Sequence, residues 1–101
     1  MIVFYVTFPD METAQEIGEK LIMNKVIACA NYTSTHSVYM WEKNLVKEPE
    51  IVAHFKTSNK NRNITHEKIL EMHPYEVPCI LSWEVIANKD YEKWIENETS
   101  P

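Results

Sequence analysis

The chain of 101 residues holds one glycine, Gly18, and one arginine, Arg62. So little glycine removes the loops that cradle phosphates: no Gly-x-Gly-x-x-Gly turn, Walker-type loop or Gly-x-Ser-x-Gly elbow is present. A single arginine in a chain of net charge −5 offers no basic face to a phosphate backbone, which excludes a nucleic-acid partner. Long apolar runs are missing too. Residues 1–6 are far too few to span a bilayer and have no charged region ahead of them, so they read as a strand. Neither membrane association nor export is expected, and the protein is assigned to the cytoplasm. The sequons at Asn31, Asn63 and Asn97 then have no route to glycosylation. The only cysteines, Cys29 and Cys79, each head an apolar run and read as buried free thiols rather than a disulfide.

What is present is ordinary for one folded domain, with 45% apolar and 25% charged residues. Residues 2–8 are β-branched and aromatic, which predicts a strand buried on both faces. Asp10 caps a helix over 11–24 with a core face of Ala14, Ile17, Leu21 and Ile22. Gly18 lies inside that helix at a cost in stability, so close backbone packing against the sheet is expected there. Residues 28–41 and 45–57 form a long β-hairpin, with Asn44 the expected left-handed residue of its turn. Ser58 caps a helix over 59–72 with Ile64, Ile69 and Met72 among its apolar positions. Cys79 to Ile86 is a strand, and Asn88 caps a short last helix striped by Tyr91, Trp94 and Ile95. The polar tail from Asn97 is expected to fray. Strand, helix, strand, strand, helix, strand is the order of an α+β, ferredoxin-like βαββαβ sandwich with both helices on one face.

The densest chemistry lies in His73-Pro74-Tyr75-Glu76-Val77-Pro78. Pro74 ends the helix and pushes His73 to an extended backbone, while Pro78 fixes the start of the next strand. An imidazole, a phenol and a carboxylate are thus held at a stiff corner, which is either a cleft wall or only a helix stop. With Cys29-Ala30-Asn31, Ser37-x-Tyr39-x-Trp41, Lys56-Thr57 and Tyr91-x-x-Trp94, this motif resembles the CutA family of divalent-cation tolerance proteins, from residue 2 to about 95. The resemblance implies a ferredoxin-like subunit, an interlocked homotrimer and an association with copper and other divalent cations. Two positions depart from the family pattern. Lys43 stands where a glycine usually follows the tryptophan, and Val6 stands where some members carry a cysteine, which removes a soft ligand for Cu(I).

His73 and Glu76 are the candidate metal ligands, with a divalent cation such as Cu(II) as the cofactor and no organic cofactor expected. Two ligands make a weak site, so a neighbouring chain would have to supply more. His66 reads as a solvated surface residue, and His36 has no identifiable partner. Lys56 is either a cationic cleft wall or a rim lysine, and Tyr39 and Trp41 are packing or ligand-stacking aromatics. No nucleophile–base set is legible, so no enzyme is expected. The alternatives to a metal-homeostasis trimer are a PII-like small-ligand sensor, with Lys56, Tyr75, Tyr39 and Trp41 around an inter-subunit cleft, and a scaffold for a protein partner. Hairpin strands of this length span roughly 43–46 Å. A domain of this size is only about 33 Å across. Tyr39, Met40, Trp41, Leu45 and Val46 must therefore project, and they are the expected trimer interface.

Overall fold

A computed structural model describes residues 1–101. Its elements are β1 (Ile2–Phe8), α1 (Met11–Met23), β2 (Cys29–Trp41), β3 (Asn44–Thr57), a 3₁₀ turn (Asn59–Asn61), α2 (Arg62–Met72), β4 (Ile80–Glu84) and α3 (Lys89–Glu98). The strands form one antiparallel sheet in the order β2-β3-β1-β4. That is the ferredoxin-like topology predicted from the order of elements.

Strand alternation sorts the side chains. Ile2, Phe4, Val6 and Phe8 of β1 point to the helices and form the core with Ala53 and Phe55 of β3, Ala14, Ile17 and Leu21 of α1, and Ile69 of α2. Val3 and Tyr5 point the other way and stay half-buried, because the two core helices cover only one face. The expectation of a strand buried on both faces is corrected accordingly. α1 begins as expected, with the Asp10 carboxylate accepting a hydrogen bond from Thr13 N at 2.7 Å. Gly18 faces the sheet, where a Cβ would collide with the Tyr32 hydroxyl and come within 3.2 Å of the Phe55 ring. The crowding neighbours are therefore side chains standing on the sheet.

β1 pairs with β3 only from Ile51 to Thr57, whereas β2 pairs with β3 along its whole length. Beyond Ile51 the hairpin is a two-stranded arm, and the molecule measures 45 × 24 × 21 Å. The arm closes through Glu42 (φ 48°) and Lys43 (φ 68°), both left-handed, while Asn44 already belongs to β3. A two-residue loop with both φ angles positive matches the right-handed twist of the strands. The two-residue closure explains why the left-handed positions precede Asn44.

Three further expectations change. Ser58 precedes the 3₁₀ turn but its side chain caps nothing, and Ile64 is exposed while Thr65 and Ile69 are buried. The stripe on α3 is buried at Ile95 but leaves Trp94 exposed. The tail is not frayed at Asn97: α3 runs to Glu98 and Thr99 is buried, its Oγ1 2.8 Å from Ile95 O and 3.0 Å from Ser58 Oγ. Asn61 Nδ2 also donates to Thr99 O at 3.4 Å, so the last helix is tied to the start of α2.

Candidate functional site

Where α2 stops, Pro74 does what its chemistry dictates. His73 takes φ −68° and ψ 134°, and its N–H makes the last helical bond to Ile69 O at 2.9 Å. The turn swings the imidazole inward onto Phe8, stacked at 4.7 Å between ring centroids. Nε2 lies 2.7 Å from Thr7 O and Nδ1 accepts from Tyr75 N at 3.1 Å. Those partners select the neutral tautomer with its proton on Nε2, since a carbonyl only accepts and an amide only donates. Burial lowers the His73 pKa, opposed by the Thr7 carbonyl and by the charge of Glu50. Both ring nitrogens are therefore occupied within the chain. The expected His73–Glu76 metal pair is not formed here, because His73 has no free lone pair and Glu76 stands exposed on the rim.

The corner closes a cleft of about 490 Å³ against the arm. Tyr39, Trp41 and Val46 supply one wall, Pro74, Tyr75 and Val77 the other, and Thr7, Glu50, Glu76 and Cys79 the polar lining. Register puts Thr7, Glu50, Val46, Tyr39 and Trp41 on the face of the sheet without core helices. Tyr75 Oη donates to Glu50 Oε2 at 2.7 Å, and Tyr39 Oη donates to Glu48. Burial and the Glu50 bond raise the Tyr75 pKa strongly, while the Glu48 bond raises Tyr39 to about 12. Glu50 is only 7% exposed, and neither of the two ion pairs in the molecule involves it. No lysine, arginine or histidine lines the cleft. Burial, aided by Glu50, raises the Cys79 thiol pKa.

The sequence-predicted residues divide. Tyr39, Trp41, Tyr75 and Glu76 meet in the cleft. Lys56 does not: it lies six positions from Glu50 along β3, roughly 20 Å. There its Nζ is 3.3 Å from Tyr91 Oη and 5.4 Å above that ring. A cleft lined by Lys56 with those aromatics is thus absent within one chain. Met40 and Leu45 lie on the opposite face of the arm from Tyr39, Trp41 and Val46, each 61% exposed, as is Val38. Both cysteines are free, but half-buried rather than buried. No three His, Cys, Asp or Glu side chains converge in a way that could hold a metal ion. No helix is long and apolar enough to cross a membrane.

Glu50 is the site residue that sequence reasoning missed. Its one signal is Pro49 beside it, since proline is tolerated in strands mainly where a ladder partner is missing, and β3 has just run past β1 there.

Comparison with known proteins agrees with this architecture. Residues 2–98 match the family described as CutA1 divalent ion tolerance protein. The chain is 39% identical over 100 residues to the divalent-cation tolerance protein CutA of Pyrococcus horikoshii, covering 98% of each. The crystal structure of CutA1 from that organism superposes with a TM-score of 0.96 at 38% identity, covering 100% of both chains. The Thermotoga maritima protein of the same name is 38% identical over 96 residues, 94% of this chain and 95% of that one. A structure described as the PII-like protein CutA from Nostoc sp. PCC 7120 in apo form gives a TM-score of 0.92 at 27% identity, covering 99% and 98%. With its sheet order, its projecting arm and its His-Pro-Tyr corner in place, this chain belongs to the CutA1 divalent ion tolerance family.

Proposed function

We propose that this protein serves divalent-cation tolerance as a non-catalytic homotrimer, holding cations such as Cu(II) on carboxylates around the cleft rather than on His73. The observation that carries this reading is Glu50, a buried carboxylate with no cationic partner, in a cleft with no basic lining. Two carboxylates in one chain fall short of a metal site, so a neighbouring copy completes it. The arm supports that assembly, because Val38, Met40 and Leu45 leave an apolar face in water on a two-stranded projection. Three copies close a ring in which each arm meets the next subunit. Two unpaired thiols suit a reducing compartment, so the cytoplasm is part of the proposal.

Calorimetric titration of the metal-free protein with Cu(II) and Zn(II) tests it. Glu50→Gln should weaken binding, and His73→Gln should leave it unchanged. Equal affinity of wild type and Glu50→Gln would overturn the assignment. A second reading rests on size. A cleft of about 490 Å³ is far larger than a bare ion requires and lies within the range of small-molecule sites. This supports a small-ligand module, in keeping with the PII-like character ascribed to the Nostoc protein.

A further inference from the structure

We propose that the cleft between the arm and the 74–79 corner binds an organic ammonium, a primary amine on a flat apolar body, with Glu50 as its counter-ion. This rests on the small-ligand reading and names the ligand class. Glu50 is 7% exposed, accepts one neutral hydrogen bond, from Tyr75, and pairs with no cation. A carboxylate taken out of water with so little compensation is costly, and a bound cation removes that cost. The walls add a second attraction. Tyr39, Trp41 and Tyr75 bring three aromatic rings to the cleft, and ring faces attract ammonium groups. Val46, Pro74 and Val77 give the rest of the ligand an apolar surface to cover.

The same lining argues against the phosphate-bearing ligands that a nucleotide sensor takes. No lysine or arginine of the same chain lines the cleft, and its Lys56 is engaged with Tyr91 roughly 20 Å along the strand. The phenols offer nothing to an anion either, since Tyr75 and Tyr39 already direct their only protons to Glu50 and Glu48.

The probes are 2-phenylethylamine, its neutral isostere 2-phenylethanol, the anion phenylacetate, and ATP, each titrated calorimetrically into the intact wild-type assembly. Cys79 lines the cleft, so its alkylation by iodoacetamide gives a second, independent readout of occupancy. The amine should bind, slow Cys79 alkylation, and exceed the alcohol in affinity by roughly tenfold or more, the worth of a charge-assisted hydrogen bond. Glu50→Gln, which keeps an acceptor for Tyr75, should lose the same factor. Trp41→Leu, measured in protein whose size by light scattering matches the wild-type assembly, should also weaken the amine. Phenylacetate or ATP protecting Cys79 while the amine does not would overturn the ligand class and leave the small-ligand reading standing. No binding by any of the four would remove both. Equal affinity for amine and alcohol, or a folded Glu50→Gln that binds the amine like wild type, would overturn the role of Glu50.

Discussion

Gly18→Ala is the substitution whose outcome the structure makes least intuitive. In a helix interior the change adds about 1 kcal/mol of stability, because alanine loses less backbone freedom on folding. Here the new methyl meets the Tyr32 hydroxyl and lies 3.2 Å from both Tyr32 Cζ and the Phe55 ring. Overpacking of that kind costs about 1–3 kcal/mol. The two terms leave a net loss of roughly 1 kcal/mol in the single variant. The Tyr32 hydroxyl makes no hydrogen bond within the chain, and burial raises its pKa, so Tyr32→Phe alone should be close to neutral. With the hydroxyl gone, Gly18→Ala should recover most or all of its loss. Urea unfolding of all four proteins at one fixed concentration gives the coupling, expected at about 1–2 kcal/mol. A Gly18→Ala protein as stable as wild type in the presence of Tyr32 would refute the reasoning.

His73 should make the fold acid-sensitive. Its pKa is lowered in the folded state, so the unfolded chain takes up the proton first. The stability it contributes is complete above about pH 6.5 and is lost as pH falls through the lower folded value. Protonation also sets an Nδ1–H against Tyr75 N–H, and His73→Gln should flatten this part of a stability–pH curve; an unchanged slope would count against the assignment. At the arm tip, Lys43 sits at φ 68° without being glycine. Lys43→Gly should raise stability by about 0.5–1 kcal/mol in thermal unfolding, since only glycine takes that conformation freely.

Much of the fold was legible because its local signals agree. Asp10 before an amphipathic run, a proline after Met72 and alternating β-branched residues each point to the observed element. The left-handed tip was misplaced because Glu42 and Lys43 carry no turn chemistry; only strand register fixes them. Thr99 looked like tail until Ser58 and Asn61, about 40 residues away, gave its polar atoms partners. At the site, the sequence displayed residue types but not their engagements. His73 reads as a ligand until Thr7 and Tyr75 take both nitrogens. Glu50 follows Lys47-Glu48-Pro49, where nothing local marks it out, and it is buried where Tyr75 Oη reaches it across the corner. Lys56 shares a strand with the cleft, yet strand rise alone carries it out of reach.

The proposed metal site depends on assembly, because one chain converges no metal-binding set and leaves an apolar arm face in water. Light scattering on a size-exclusion column, with bound Cu(II) measured across the peak, tests this for wild type and a Met40→Glu, Leu45→Glu variant. Wild type at micromolar concentration should elute as three copies of 11.9 kDa, about 36 kDa, with Cu(II) bound, and the variant as a metal-poor monomer. A wild-type monomer of 11.9 kDa that nonetheless carries tightly bound Cu(II) would contradict it.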